Sequence, residues 1–292
     1  MLGLHLATAL ATGVATVIAR PPVQHQATPA QLVWSDEFES LSPPDPGVWS
    51  HDLGAGGWGN QELQEYTGQP ANVRVEEGLL VISVQEQELP DGKRAFTSGR
   101  IKTENKLTVL YGTIEARIQV PDLANGLWPA FWTLGNDIAE VGWPSCGELD
   151  ILEMGTAAAI ERGVVNQRVS SAAHWETADR HTFDTSFLDL PTDLSRSFHT
   201  FRMEWTPSRV STAIDGQTIW TLDITPEACA DCSELHRPHF LLLNLAVGGT
   251  FPGLPEASEV DAPLPARMLV DWVRIYDNGF TRLGGSSIQP DA

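Results

Sequence analysis

Three acidic residues in one short stretch are the part of this sequence best suited to chemistry. The segment 147–154 reads G-E-L-D-I-L-E-M and contains Glu148, Asp150 and Glu153. The apolar residues between the acids favour a buried β-strand. Side chains of a strand alternate between its faces, so Glu148 and Asp150 share one face and Glu153 should point to the other. One extra residue at 151–152, a β-bulge, would return Glu153 to the face of the other two.

Acidic side chains grouped on an otherwise apolar strand repel one another and do not stabilise a fold, so we favour a catalytic role for them. A pair of carboxylates in unequal environments catalyses glycoside hydrolysis. One attacks the anomeric carbon, and the other, kept protonated, gives a proton to the leaving oxygen. A third acid between them can hydrogen-bond to the nucleophile and separate the two titrations. The alternatives are a calcium site and a half-exposed edge strand with simple alternating pattern.

The separation of the two outer acids constrains the sheet that carries them. On a flat strand Glu148 and Glu153 would lie roughly 13 Å apart at Cα. A retaining pair of carboxyl groups needs a separation of about 5–5.5 Å. Glutamates that lean inward on a concave sheet would close most of that gap. The spacing therefore predicts a strongly curved sheet with the acids on its hollow side.

Aromatic residues accompany the acids. The chain contains 10 tryptophans, and Trp128, Trp132 and Trp143 lie just before the acid strand. Tryptophan faces stack on the apolar face of a pyranose, so these side chains are candidate sugar platforms. Three tryptophans in alternating apolar runs are instead predicted to belong to the core: Trp34, Trp205 and Trp272.

A second group of candidate contacts lies in the glycine-rich segment 56–66, G-G-W-G-N-Q-E-L-Q-E-Y. Its glycines allow a ligand to approach the backbone closely. Trp58, Asn60 and Glu62 supply an aromatic face and polar groups that can bind hydroxyls. The segment is therefore predicted to form part of the same binding site as the acids.

The acid strand resembles a known family. E-L-D-I-L-E is similar to the E-x-D-x-x-E signature of the bulged-strand branch of glycoside hydrolase family sixteen, the laminarinase-like endo-β-1,3-glucanases. The resemblance runs from 34 to 276, nearly the whole chain after its leader. The motifs that carry it are W-S-D-E-F (34–38), G-W-G-N-Q-E-L-Q (57–64), T-S-G-R-I-K-T (97–103), Y-G-T-I-E-A-R-I (111–118), L-W-P-A-F-W-T-L-G (127–135), E-W-T-P (204–207), L-N-L-A-V-G-G (243–249) and V-D-W-V-R-I-Y (270–276).

The resemblance implies a role for each of the acids. Glu148 would be the nucleophile, Asp150 its modulating partner and Glu153 the general acid/base. No cofactor would be required for catalysis. The residues implied as sugar contacts are Trp128, Trp132, Asn60, Glu62, Arg100 and His174.

A structural calcium ion is a further implication of the resemblance. Related enzymes carry such a site on the far side of the sandwich, and Asp271 together with backbone oxygens near Glu37 and Gly78 matches it. Calcium prefers oxygen ligands of this kind. The alternative is that Asp271 only caps a strand or pairs with Arg274.

Length and patterning favour one all-β domain over 31–280. A chain of 292 residues with 42% hydrophobic content can bury a large core, and its 25 glycines and 20 prolines fit many short strands. Weak helix signals favour a sandwich of two antiparallel sheets. The resemblance implies a β-jelly roll of the concanavalin A-like lectin/glucanase type, whose concave sheet carries the cleft. The alternating runs are 79–84, 112–120, 201–206 and 269–276.

The two ends of the chain are predicted to lie outside this domain. Residues 1–19 form an uncharged stretch rich in Ala, Leu and Val that is typical of a secretory signal peptide, although its first part lacks Lys and Arg. Residues 20–30 are then a flexible mature N-terminus and 281–292 a C-terminal tail. No second long apolar run follows, so we expect a secreted, soluble protein with no membrane partner.

The chain has three cysteines. In an oxidising compartment the C-A-D-C pair, Cys229 and Cys232, could form a local disulfide, which would leave Cys146 unpaired beside the acid strand. A zinc or thioredoxin-like site would need further ligands or a βαβ pattern, and neither is visible. Other pairings of the three remain open.

The net charge of −20 argues against nucleic acid and anionic membranes as partners. It also disfavours sulfated sugars and suits a neutral polysaccharide, although the alternative is that the charge only keeps a secreted protein soluble. The resemblance implies a neutral β-glucan polysaccharide as the substrate, and we expect a monomer. The leading hypothesis is a secreted retaining endo-glucanase acting on β-1,3 bonds, with mixed β-1,3/1,4 chains as a further substrate. The alternatives are a β-glucan transglycosylase, a non-catalytic β-glucan-binding protein, and an agarase or carrageenase on the same fold.

Overall fold

A computed structural model describes residues 31–39, 42–178 and 180–287. The predicted signal peptide, the predicted mature N-terminus up to 30 and the last five residues of the predicted tail lie outside these ranges. The predictions for those segments therefore stay predictions. No helix among the described residues is long and apolar enough to cross a membrane.

Strands are the dominant regular structure of the described chain, as predicted. The strands are β1 Gln31–Asp36, β2 Ser50–His51, β3 Gln64–Tyr66, β4 Val73–Glu76, β5 Leu79–Glu88, β6 Arg94–Ser98, β7 Arg100–Lys102, β8 Thr108–Leu110, β9 Gly112–Gln119, β10 Leu127–Gly135, β11 Glu148–Glu153, β12 Arg168–Thr177, β13 Arg180–Asp189, β14 His199–Trp205, β15 Arg209–Ile214, β16 Gln217–Asp223, β17 His239–Val247, β18 Ala266–Asp277 and β19 Arg282–Gly284. Two short α-helices, α1 Ile138–Val141 and α2 Ala157–Glu161, flank β11. Single 3-10 turns occur at Gly57–Gly59, Leu194–Arg196, Ser233–His236 and Ala257–Glu259.

The strands form a 10-stranded and a 9-stranded sheet. The first has the order β16-β15-β14-β9-β18-β5-β6-β3, with β1 also paired to β18 and β4 to β5. The second has the order β13-β12-β11-β10-β17-β7-β2, with β8 paired to β17 and β19 to β8. The pairs are antiparallel apart from β3 and β6, which run parallel. The acid strand β11 lies inside the second sheet, between β10 and β12.

The core lies between the two sheets. Alternate residues of β9, such as Ile114 and Ile118, are fully buried and share one apolar cluster with Leu241 and Leu243 of β17. Glu115, between the buried positions of β9, points outward and pairs with an arginine of the neighbouring strand. This alternation is the pattern predicted for 112–120, and all four predicted alternating runs are strands.

The predicted core tryptophans have three different environments. Trp205 is fully buried, and Trp34 is partly buried against the core. The prediction for Trp272 is wrong, because its ring packs under the Arg274 guanidinium at 4.2 Å and lies outside the core cluster. The cause is a bulge in β18: Val270 pairs with Ile118 and Trp272 with the next residue of β9. The bulge leaves Trp272 on the outward face.

The same bulge contains Asp271, the residue predicted to bind calcium. Its carboxylate pairs with Arg117 at 2.5 Å, so the alternative of a pair with Arg274 is wrong. Arg274 instead holds Glu37 through two hydrogen bonds of 2.9 and 2.8 Å. The carboxylates of Asp271 and Glu37 are thus each paired with an arginine. The calcium site predicted from Asp271 and from backbone oxygens near Glu37 and Gly78 stays a prediction.

The cysteine prediction is confirmed. Cys229 and Cys232 form a disulfide across three positions of the chain. Cys146 is buried and unpaired. Burial, together with the nearby Glu148 carboxylate, raises the pKa of the Cys146 thiol to about 12, so this thiol is not a nucleophile near neutral pH.

Candidate active site

The acid strand β11 is flanked by two glycines whose backbone angles favour glycine over other residues. Gly147 and Gly155 have φ angles of 79° and 104°, a region that L side chains rarely adopt. A Cβ atom on Gly155 would lie 2.2 Å from the carbonyl oxygen of Leu127 on the adjacent strand. The close approach at this end fixes the position of β11 against β10.

A bulge in β11 places the three acids on one face. Against β10, Asp150 pairs with Trp132 and Leu152 pairs with Phe131, so the residue between them, Ile151, has no partner. Ile151 and Leu152 are both fully buried in the core, although they are consecutive. Glu153 therefore returns to the face of Asp150, as predicted from the spacing.

The three acids line one cleft on the face of the second sheet that points away from the core. Its volume is about 540 Å³, within the range of small-molecule sites. Glu148 and Glu153 are half-buried, while Asp150 is only 3% exposed. All six residues predicted as sugar contacts line the same cleft: Trp128, Trp132, Asn60, Glu62, Arg100 and His174.

Each acid has its own polar neighbour. The indole N–H of Trp143 donates a hydrogen bond of 2.7 Å to Glu148. The indole N–H of Trp128 donates one of 3.1 Å to Glu153. Asp150 instead faces the imidazole of His174, with Oδ2 at 3.2 Å from Nε2. The three carboxylates thus have the unequal environments that acid/base chemistry needs.

The acids do not ionise independently. Burial is the largest cause that raises the pKa of each carboxyl, and the negative charge of Asp150 raises those of Glu148 and Glu153 further. The pKa of Glu148 rises to about 8, while that of Glu153, which faces both other acids, lies well above its ordinary value. The three carboxyls therefore titrate as one coupled cluster, in which both neighbouring acids disfavour the ionised form of Glu153.

The raised pKa of Glu153 predicts a pH-dependent gain in stability for Glu153→Gln. A carboxyl whose pKa is higher in the folded than in the unfolded chain contributes stability that is complete below its ordinary pKa of 4.5 and is lost as the pH rises through the folded value. Glutamine never ionises, so the variant keeps that contribution. We expect its Tm to match that of the native chain at pH 4. At pH 8 it should be higher by on the order of 1 kcal/mol, or about 2–4 °C. Equal pH dependence of the two Tm values would contradict the buried charge.

Arg100 forms one wall of the cleft together with two aromatic rings. Its guanidinium lies 4.8 Å from the ring centres of both Trp58 and Trp132. Its Nε donates a hydrogen bond of 2.9 Å to Asp52, which compensates the charge. Cation–π contacts between Arg100 and both rings help to fix the position of the Trp132 ring in the cleft wall.

A chain of hydrogen bonds connects the glycine-rich segment to the same wall. Trp132 donates to Asn244 at 2.7 Å, Asn244 donates to the hydroxyl of Tyr66 at 3.1 Å, and Tyr66 donates to Glu62 at 3.1 Å. Asn60 lies at the rim of this network, 3.5 Å from Glu62. Burial raises the pKa of Glu62, while hydrogen bonds and the nearby Arg100 oppose that effect. The network fixes polar groups in positions where they can bind sugar hydroxyls.

Trp128 and Trp132 are expected to respond differently to replacement by alanine. Trp132 is half-buried in the cleft wall, so Trp132→Ala should weaken oligosaccharide binding with little loss of stability. Trp128 is only 9% exposed and stacks on Phe251 at 4.4 Å. Trp128→Ala should therefore also lower the free energy of unfolding by about 3–5 kcal/mol. Calorimetry with laminari-oligosaccharides and urea unfolding would measure both quantities. A large stability loss for Trp132→Ala with binding retained would place Trp132 in the core instead.

The opposite wall of the cleft is aromatic and lies on β12 and β13. His174 stacks on His181 at 5.1 Å between ring centres, and Phe183 stacks on both. Phe183 and Phe187 are 58% and 46% exposed and line the cleft. Sequence reasoning missed this wall, here named the β13 wall. The alternation of His181, Phe183 and Phe187 in R-H-T-F-D-T-S-F was the available signal.

Sequence reasoning also missed the direct contact of Trp143 with an acid. Trp143 was recognised as a sugar platform, but its hydrogen bond to Glu148 depends on the turn after α1. The ring is 49% exposed and also packs at 4.6 Å against His181. Trp143 thus links the acid strand to the β13 wall.

A two-sheet β-sandwich with a buried acid cluster in an aromatic cleft defines a glycoside hydrolase of the jelly-roll type. Comparison with known proteins agrees: residues 60–274 match the model of glycosyl hydrolases family 16. The glucan endo-1,3-beta-glucosidase of Cryptopygus antarcticus is 36% identical over 233 residues, which cover 76% of this chain and 82% of that protein. The laminarinase catalytic domain of Thermotoga maritima MSB8 is 37% identical, with a TM-score of 0.71 over 85% of this chain and 98% of that one.

A third relative is a longer protein. The clotting factor G alpha subunit of Tachypleus tridentatus is 34% identical over 257 residues, and the match covers 86% of this chain but 34% of that protein's length. The family match extends over most of the described sandwich and includes all three acids. The chain belongs to glycosyl hydrolases family 16.

Proposed function

We propose that the protein is a secreted, retaining endo-glucanase that hydrolyses β-1,3-glucosidic bonds. The observation that carries the proposal is the pair Glu148 and Glu153 on one face of β11 in the same cleft, where burial and the neighbouring acids raise the pKa of Glu153. A non-catalytic glucan-binding protein would not need both groups. The names of the relatives, glucan endo-1,3-beta-glucosidase and laminarinase, support the same linkage.

The proposed reaction has two steps. Glu148 attacks the anomeric carbon and forms a glycosyl ester while Glu153 gives its proton to the leaving oxygen. Glu153 then takes a proton from water, which attacks the ester and releases Glu148 with the β-configuration retained. Burial and the charge of Asp150 raise the pKa of Glu148, and the nearby His174 and the Trp143 hydrogen bond oppose that rise. Asp150 lies between the two glutamates on the same face of β11. None of these steps uses a cofactor.

The electrostatics of the cleft support a neutral glucan. Arg100 is the one arginine among the described residues that line it, the cleft has no lysine there, and Arg100 is already paired with Asp52. A sulfated galactan would meet four acidic side chains in the cleft and a chain of net charge −20 without a compensating basic patch. Carrageenase activity is therefore disfavoured, and the apolar walls fit sugar rings of a neutral polysaccharide.

Product analysis tests the proposal. Purified protein would be incubated with laminarin, lichenan, agarose and carrageenan, and the products separated by size. We expect internal cleavage of laminarin, with the β-anomer seen first by NMR. Cleavage of agarose alone would overturn the substrate, and release of the α-anomer first would overturn the retaining mechanism.

Transglycosylation is a second candidate reaction because the β13 wall offers a surface for an acceptor sugar. Phe183 and Phe187 are exposed aromatic rings, which neutral sugars can stack on. Addition of excess laminaribiose would reveal this activity as products longer than the substrate.

The β13 wall is expected to contribute to binding of long substrates. Each stacked ring should contribute about 0.5–1.5 kcal/mol beyond its buried area. The double variant Phe183→Ala/Phe187→Ala should therefore raise KM for laminarin several-fold to tens of fold. Hydrolysis of a short aryl glycoside that does not reach β13 should keep its kcat/KM. Equal loss on both substrates would mean that the wall supports the acids rather than the sugar chain.

We also propose that the protein is secreted and that it is a monomer. The apolar segment 1–19 supports secretion. N-terminal sequencing of protein from the culture medium would show whether cleavage occurs near Ala19. Sedimentation would measure the state of association.

A further inference from the structure

Glu148, Asp150 and His174 together have the arrangement of a transition-metal site. Each offers one ligand atom, and the three atoms lie within 4.8 Å of one another. The Asp150 Oδ2 to His174 Nε2 distance is already 3.2 Å. A tetrahedral ion with ligands at about 2.0–2.2 Å places those ligands roughly 3.3–3.6 Å apart. Small side-chain rotations would therefore bring the three ligand atoms to the separations of a tetrahedral site.

An unpartnered buried oxygen points to the same place. Asp150 is 3% exposed, and its Oδ2 atom has no aligned hydrogen bond even though it faces the imidazole. Buried carboxylate oxygens are nearly always satisfied, so an orphaned one marks a position that a cation or a donor would occupy. This observation concerns hydrogen bonding and is independent of the spacing of the ligand atoms.

The surrounding groups orient the ligands toward the common point. His174 Nδ1 lies 2.9 Å from His181 Nε2. This contact orients the ring so that the other nitrogen, Nε2, faces Asp150. Metal-binding histidines are oriented in this way by a partner on the other nitrogen. On the other side of Asp150, the indole N–H of Trp143 donates to Oε2 of Glu148 and orients that carboxylate.

We propose that Glu148, Asp150 and His174 bind a divalent transition-metal ion of the zinc type, which reversibly blocks the cleft. Imidazole nitrogen and carboxylate oxygen are both zinc ligands, and three protein ligands would leave the fourth position open to the cleft. Calcium and magnesium prefer more oxygen ligands and do not suit it. Metal binding follows from the geometry alone. The inhibition rests on the proposed function, because the ion would occupy the nucleophile.

Titration calorimetry of the full chain with ZnCl₂ tests the site. We expect one zinc ion per chain with a measurable Kd, and an excess of CaCl₂ should leave that Kd unchanged. His174→Ala and Glu148→Gln should each raise the zinc Kd by about 100-fold or more, at least the loss seen when a supporting partner is removed. His199→Ala is the matched control, since His199 pairs with Asp215 on the other sheet and should leave the zinc Kd unchanged.

A measurement on the native chain avoids dependence on variants. Laminari-oligosaccharide and zinc should compete, so a saturating oligosaccharide should raise the apparent zinc Kd, and zinc but not calcium should inhibit laminarin hydrolysis reversibly on addition of EDTA. Absence of zinc binding, an unchanged Kd in His174→Ala, or no competition with a bound oligosaccharide would overturn the site. Laminarin hydrolysis without zinc binding would refute this inference alone. Zinc binding without cleavage of any glucan would instead refute the proposed function.

Discussion

Replacement of Glu148 by alanine is expected to reduce laminarin hydrolysis to background. The variant lacks the carboxylate that forms the glycosyl ester in the proposed reaction, so no covalent intermediate can form. Added azide should restore turnover by entering the space of the missing carboxylate. Its product should be the α-glucosyl azide, the inverted anomer, as identified by NMR.

The control for Glu148→Ala removes a carboxylate of the same kind outside the cleft. Glu140 lies in α1, is exposed and does not line the site, so Glu140→Ala should retain native activity and ignore azide. A β-glucosyl azide from Glu148→Ala would mean that Glu148 is the acid/base and that the two roles must be exchanged.

Glu153→Ala is expected to give the second-largest loss, but one that depends on the leaving group. Without its proton donor the enzyme should lose roughly 10²–10⁴-fold in kcat/KM on laminarin. A dinitrophenyl glycoside needs little protonation, so its ester formation should be much less affected. Azide should accelerate breakdown of the ester and give a β-glucosyl product, the retained anomer.

The pH profile gives an independent test of Glu153. In the native chain kcat/KM should fall on the alkaline side as the raised pKa of Glu153 is passed, because the proton donor is lost. Glu153→Ala should lack that limb. Persistence of the alkaline limb in Glu153→Ala would assign it to another group and would leave Glu153 without its proposed role.

Much of the site could be predicted from the sequence because it depends on local order. The pattern E-L-D-I-L-E contains two consecutive apolar residues that must both reach the core, and this demand produces the bulge at Ile151. Once the bulge is present, the parity of the strand places Glu148, Asp150 and Glu153 on one face. The six residues that the family resemblance implied as sugar contacts also line the cleft.

The contacts between distant segments could not be predicted in the same way. Arg100 lies between Trp58 and Trp132 only because β7, the glycine-rich turn and β10 come together across β17. The Trp143 hydrogen bond to Glu148 likewise depends on how the turn after α1 folds back. From residue type alone, Trp132 and Trp143 were predicted to stack on sugars. Residue type does not specify which polar atom an aromatic ring will contact in the folded chain.

Trp272 shows the difference most clearly. Its alternating run predicted a strand, which is correct, and a core position, which is wrong, because a bulge at Asp271 shifts the register against β9. The sheet-forming segments and the grouping of the three carboxylates could be predicted from the amino-acid sequence, since they follow from short-range alternation and residue type. The folded chain was needed to show which face each residue of β18 presents, which ring contacts which acid and in which direction each pKa shifts. Those properties depend on register, burial and neighbouring charge, and all three are set by strands far apart in the chain.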